Sequence, residues 1–315
     1  MTEPGTRIAF LFPGQGAQYA GMGKDLCERF EAARSIFKRG NDALGFDLAK
    51  LCLEGPEEEL AKTDISQPAI FLTSAAALAA MQEKLGDRQP RPGAAAGLSL
   101  GEYTALYAAG ALDFETAIQL VRKRGLFMQA ACDAARSGMC SVLGLSRPQI
   151  DQVCRFAEAH GVICAANFNA PGQIVISGEI KALEAASARA KELGAKRSIP
   201  LKVAGAFHSP LMRPASVHLN AELATTRFAA PAFPVVSNVS ASFVSTADGA
   251  REGLAKQIVS SVMWEDSMRA LREREFSRFY EIGPGKTLAG LMKKIDETAT
   301  VINVGTVQEL ETIAC

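Results

Sequence analysis

The stretch RPGAAAGLSLGEYTALYAAGAL, residues 91–112, decides the fold. Its alanines at 94–96 form a short small-residue strand, GLSLGE (97–102) a tight turn, and the remainder an alanine-rich helix. A strand that passes into a helix through a glycine-flanked turn is a βα unit, and repeated units of that kind build parallel sheets covered by helices. Upstream, RIAFLF (7–12) is another apolar run, ended by PGQG (13–16), as suits a buried parallel strand turning towards its helix. A helix is predicted from about Met22 to Arg39. SQPAIFLTSAAALAAMQEKLG (66–86) is apolar nearly all round, as expected of a helix enclosed in a large domain.

Between Gly138 and Pro200 the rhythm changes. MCSVLGL (139–145) reads as a strand, 147–160 as a helix, VICAANF (162–168) and GQIVISG (172–178) as strands, 180–194 as a helix and KRSIPLKV (196–203) as a strand. The order βαββαβ is the ferredoxin-like unit. The expected architecture is therefore α/β: a large α/β-hydrolase-like domain with a parallel sheet (1–135 and 204–315) carrying an inserted ferredoxin-like subdomain (136–203). The large domain resumes with GAFHSPLM (205–212), FPVVSNV (233–239) and FYEIGPGKTLAGLMKKI (279–295). Beyond about Val304 no element is assigned.

Composition narrows the function. The 315 residues carry 34 basic and 34 acidic side chains, zero formal charge and no block of like sign, so nucleic acid is excluded as a partner. The seven cysteines, at 27, 52, 132, 140, 154, 164 and 315, are scattered and never spaced as CxxC, which argues against a disulfide framework or a zinc site. The amino-terminal MTEPGT precedes an apolar run too short for a signal peptide, and no segment approaches the ~20 apolar residues of a membrane helix. A cytoplasmic protein is expected, with no membrane partner.

GLSLGE contains a GxSxG pentad, which holds a serine hydroxyl exposed above a sheet with the next residue's backbone N–H aimed at a developing oxyanion. Two readings of Ser99 compete: a nucleophile, or a small residue in an ordinary βα turn. A serine needs a base, and the chain offers three histidines. His160 ends a helix, where it suits a carbonyl-capping role, and His218 lies in a mixed helical stretch that suggests a surface position. His208, in GAFHSPLM, is the best base candidate, the alternative being a packed loop histidine. Arg124 stands three or four residues from Leu120, Val121, Phe127 and Met128 and so falls on the apolar face of its helix, whereas Arg122 and Lys123 project elsewhere and are expected to be solvated. A guanidinium there awaits an anion: a substrate carboxylate, or a buried acid such as Glu102. PGQGAQ (13–18) lacks the third glycine of a dinucleotide loop, with Tyr19 in its place, and instead offers the Gln15 backbone N–H as a second oxyanion donor. GPGKT (283–287) lacks the first glycine of a phosphate loop, Tyr280 standing there.

Together FLFPGQGAQYAGMGKDL, DISQPAIFLTS, GLSLGEYTAL, VRKRGLFMQAA, NFNAPGQIVISG, VAGAFHSPLM and FYEIGPGKTLAGLMKKI resemble the malonyl-CoA:acyl carrier protein transacylases of fatty acid synthesis and the related polyketide synthase acyltransferases. The resemblance spans nearly the whole chain. It implies Ser99 as acylated nucleophile, His208 as general base, the backbone N–H groups of Gln15 and Leu100 as oxyanion hole, and Arg124 as partner of the malonyl carboxylate. It further implies Gln67, Met128 and Asn167 near the acyl pocket, Phe207 as a malonyl-selecting residue, and a backbone carbonyl near Met263 to orient the histidine. The substrates it implies are malonyl-CoA and the holo acyl carrier protein, with no bound cofactor and no metal. One departure is plain: the family's commonest pentad has histidine before the serine, and here Leu98 stands there.

Overall fold

In the computed structural model, residues 7–313 are described; MTEPGT (1–6) and Cys315 lie outside them. Ten strands follow in chain order: β1 (Arg7–Phe12), β2 (Ala94–Gly97), β3 (Ser137–Leu143), β4 (Ile163–Ala170), β5 (Gln173–Glu179), β6 (Arg197–Pro200), β7 (Val235–Val236), β8 (Phe243–Val244), β9 (Phe276–Ile282) and β10 (Thr300–Val304). The main sheet runs β10-β9-β1-β2-β7-β8, parallel except for the β7–β8 pair at its edge. The alanines of β2 divide between two cores by the period-two rule. Ala95 joins Phe10 and Phe12 on one face, while Ala94 and Ala96 join Leu11, Val236 and Trp264 on the other. Burial of both faces is what made these strands read as continuous apolar runs.

The helix over Thr63–Leu85 is enclosed as its sequence predicts, with sixteen of its residues buried. Pro68 lies within it and has no N–H to give to the Asp64 carbonyl. Arg122 Nη1 takes that carbonyl and also pairs with the Asp64 carboxylate at 2.7 Å. Arg122 is thus partly buried and ion-paired rather than simply solvated; Lys123 is exposed and pairs with Glu222 at 2.6 Å. The helix Phe114–Asp133 crosses close by at Gly125, where a Cβ would fall 2.8 Å from Asp64 Cα. That approach brings Arg124 beside Gln67.

β3 to β6 form a second, antiparallel sheet in the order β4-β5-β3-β6, with the helices Arg147–Ala157 and Ile180–Glu192 packed on it around a separate core that includes Val142, Ile150, Ile176 and Ala186. Chain order and strand order together are ferredoxin-like.

Several boundaries differ from expectation. The helix over 22–39 is two, Lys24–Arg29 and Glu31–Leu44, broken where buried Phe30 is extended (φ −119°, ψ 129°). The strand over 196–203 stops at Pro200, whose ring removes a ladder donor. FPVVSNV contributes just Val235–Val236, because beyond it Asn238 bonds to the neighbouring turn instead of a ladder. Past Val304, a helix over Val307–Glu311 is capped by Thr306, whose hydroxyl accepts from the Glu309 N–H at 3.2 Å. Among the described residues, no helix is long and apolar enough to cross a membrane.

Candidate active site

The turn after β2 is fixed by what cannot be accommodated there. A Cβ on Gly97 would lie 1.9 Å from the Gly101 carbonyl carbon, one on Gly101 2.1 Å from Phe12 O, and one on Gly14 2.4 Å from Leu98 O. Between those glycines Ser99 takes the left-handed conformation, φ 52°, which costs a non-glycine residue about 1–3 kcal/mol and persists when neighbours hold it. Two neighbours do. Asn238 Oδ1 accepts from the Ser99 N–H at 2.6 Å, and Gln257 Nε2 donates to the Ser99 carbonyl at 2.9 Å.

His208 is the second residue of the site in a left-handed conformation, φ 58°. Its Nε2 lies 2.8 Å from Ser99 Oγ, and its Nδ1 faces the Gln257 carbonyl at 3.0 Å and the Ser260 carbonyl at 3.2 Å. Two carbonyls on Nδ1 assign the proton to that nitrogen and leave the Nε2 lone pair towards Ser99. The Gln257 carbonyl is available because the helix Ala247–Gln257 ends there. Backbone carbonyls do orient the ring, at Ser260, three residues before Met263, and at Gln257; Met263 O itself accepts from Ser267, at the start of the next helix. Burial, then the Arg124 charge, pushes the imidazole down to about 4, so it is neutral at pH 7.

Arg124 is 1% exposed. Its Nη1 donates to Gln67 Oε1 at 2.6 Å, and its Nη2 donates to Ser99 Oγ at 2.9 Å and Gln257 Oε1 at 3.0 Å. The guanidinium lies over the Tyr103 ring, 5.4 Å from its centroid. Every hydrogen-bond partner is neutral, and among the described residues no carboxylate forms an ion pair with it. The structural alternative, Glu102, directs its carboxylate elsewhere, accepting from Gln257 Nε2 at 2.7 Å and Asn238 N–H at 3.2 Å. Burial raises Glu102 to about 7.

A cavity of about 180 Å³ opens on Ser99 and His208. Gln15, Arg124, Met128, Asn167 and Phe207 line it, as does Leu98, which also packs against the core on one sheet face. Gln67 does not line the cavity: it is fully buried behind Arg124 and carries that residue's Nη1. Leu100 opens the helix Gly101–Ala108. Neither its backbone N–H nor that of Gln15 donates a hydrogen bond within the described residues. His160 and His218 are exposed and neither lines this cavity, His218 lying beside the Phe127 ring.

Sequence reasoning missed Asn238, Gln257 and Ser260. Asn238 carried a faint signal, an amide at the end of an apolar strand; Gln257 and Ser260 carried none, since one acts partly and the other wholly through a backbone carbonyl.

The chain matches the acyl transferase domain family over residues 9–309. It is 44% identical over 307 residues to the malonyl CoA-acyl carrier protein transacylase of Bacillus subtilis, covering 97% of this chain and 96% of that protein. The solved malonyl CoA-acyl carrier protein transacylase of Coxiella burnetii superposes with a TM-score of 0.94 at 37% identity, over 98% of this chain and 96% of that one. A malonyl-transacylase solved in complex with its type II polyketide acyl-carrier protein superposes equally well, at 0.94 and 40% identity, over 98% of each chain.

Proposed function

We propose, on the premise that the chain belongs to the acyl transferase domain family as one of its malonyl CoA-acyl carrier protein transacylases, that it moves a malonyl group from malonyl-CoA to the phosphopantetheine thiol of holo acyl carrier protein. The observation that carries this reading is Arg124, a buried cation beside Ser99 with neutral hydrogen-bond partners. A carboxylate on the substrate supplies the missing charge, and malonyl carries one where acetyl does not.

The reaction proceeds in two halves. His208 Nε2 takes the proton of Ser99 Oγ as the oxygen attacks the thioester carbonyl, and the resulting oxyanion is met by the Gln15 and Leu100 N–H groups. Collapse breaks the carbon–sulfur bond; coenzyme A leaves as a thiol with the proton from His208, and malonyl remains as an ester on Ser99. The carrier thiol then gives its proton to His208, attacks the ester and takes the acyl group, returning the proton to Ser99. Arg124 turns from Ser99 Oγ to the malonyl carboxylate and so aligns the thioester. Phe207 disfavours an α-methyl branch by about 1–3 kcal/mol, the usual limit of an apolar contact, while Met128 and Asn167 line the acyl pocket beside it. No bound cofactor takes part in these steps. Residues 136–203 act here as an inserted subdomain forming one wall of the cavity, residues 1–135 and 204–315 as the body holding Ser99 and His208, and the cytoplasm as the compartment.

Transfer of labelled malonyl, methylmalonyl and acetyl groups from CoA to holo carrier protein tests this, with malonyl moving fastest. The likeness to a polyketide malonyl-transacylase favours including a polyketide carrier beside a fatty acid carrier; preference for the former shifts the pathway and leaves the chemistry unchanged. Release of malonate to water without carrier would replace the transferase reading with a hydrolase.

A further inference from the structure

Glu102 is buried in the helix that follows Ser99, at 3% exposure, and the reaction above gives it no task. One oxygen of its carboxyl, Oε2, accepts from both Gln257 Nε2 and the Asn238 N–H, at 2.7 and 3.2 Å. Both donors belong to residues that support the site. Asn238 holds the Ser99 N–H through Oδ1 and the Gly97 carbonyl through Nδ2, while Gln257 faces Ser99, Arg124 and His208.

We propose that Glu102 is a positioning residue for the anion anchor: by accepting from Gln257 Nε2 it fixes which way that carboxamide faces, and through Gln257 Oε1 it aims Arg124 at the substrate carboxylate. This rests on the reading of Arg124 as carboxylate partner. A carboxamide has two ends of nearly equal shape and opposite polarity, so its orientation is set by what it meets. Here Oε1 must face Arg124, because a flipped amide would set N–H against N–H there. The Ser99 carbonyl at 2.9 Å selects the same orientation, but it belongs to the residue being positioned. Glu102, nearer at 2.7 Å and anchored on its own helix, is the independent reference. The acceptor oxygen does this work in either protonation state, and in Glu102→Gln an amide oxygen at the same place would serve both donors.

The test compares kcat and KM for malonyl-CoA and acetyl-CoA, with holo carrier protein as acceptor, in the native chain, Glu102→Met and Glu102→Gln, each also combined with Arg124→Ala. Glu102→Met should lower the malonyl-to-acetyl preference by about 10–100-fold, the scale on which orienting partners act, mainly through the KM for malonyl-CoA. Glu102→Gln should restore the preference to within about twofold of native, and in the Arg124→Ala background Glu102→Met should leave it unchanged, the two residues lying on one path. Should Glu102→Met fail to fold, Gln257→Met breaks the link from the other side and leaves the backbone carbonyl on His208; because Gln257 Nε2 also holds the Ser99 carbonyl, it is expected to slow both thioesters and, beyond that shared loss, to lower the malonyl-to-acetyl preference on the same scale. Equal losses for malonyl and acetyl, or a further loss of preference in the double variant, would overturn the proposal. A native chain indifferent between malonyl and acetyl overturns it together with the anchor reading, and the native arm alone shows this before any variant is compared.

Discussion

Arg124 Nη2 donates to Ser99 Oγ at 2.9 Å, the same oxygen that lies 2.8 Å from His208 Nε2. The hydroxyl thus sits between a base and a cation. The cation favours negative charge on Oγ and, as a neighbouring positive charge, disfavours a second on the imidazole. Under the proposed anchoring role, a malonyl carboxylate would compete with Oγ for this guanidinium, which would couple substrate binding to release of Oγ.

Arg124→Ala should cost the malonyl reaction two hydrogen bonds to a charged group at roughly 1.5–3 kcal/mol each, a loss in kcat/KM on the order of 10²–10⁴-fold. Acetyl transfer should change far less, having no carboxylate to lose. Steady-state rates with the two CoA thioesters check this; parallel losses would contradict it.

The pH dependence follows from the neutral histidine. Its ordinary value near 6.5 is pushed down to about 4, so the base stays unprotonated through the neutral range and kcat/KM should fall as pH drops through about 4. The same shift has a stability side: the unfolded chain takes up a proton on this histidine below about 6.5 and the folded chain does not, so stability drains away as pH falls from there towards 4. In Arg124→Ala the acidic limb should move to higher pH, since one of the two causes of the depression is gone. A pH–rate profile of both proteins decides; a limb that stays put would show that burial alone sets the histidine.

Asn238→Ala should leave the Ser99 N–H and the Gly97 carbonyl without partners in a buried turn, at about 1–3 kcal/mol each. Loss of stability and of acyl transfer together is expected, read by thermal unfolding and by rate. An unchanged melting temperature would mean that the glycines alone hold the turn.

Much of this site was legible before any coordinates. The pentad around Ser99 works because glycine at 97 and 101 is sterically compulsory, and such constraints leave letters in the sequence. Arg124 was legible through helical periodicity, which distinguishes it from Arg122 two positions earlier. The role of Arg122 was not, because the free Asp64 carbonyl that attracts it arises from Pro68, 54 positions away in the chain. His208 was found by elimination among three histidines, yet its orienting carbonyls were located only to the neighbourhood of Met263 and not to Gln257 and Ser260, since any residue type can supply a backbone carbonyl. Gln67 shows a finer limit: periodicity marks a residue as buried and does not tell whether it faces the cavity or supports what does.

The central claim is that Ser99 carries the malonyl group between the two half-reactions. Intact-protein and peptide mass spectrometry after brief mixing with malonyl-CoA, without carrier protein, tests it most directly. The predicted result is a single malonyl addition on the peptide containing Ser99, discharged by holo carrier protein and missing from Ser99→Ala. A protein that transfers malonyl with no such ester, or a Ser99→Ala variant that transfers as well as native, would contradict the account.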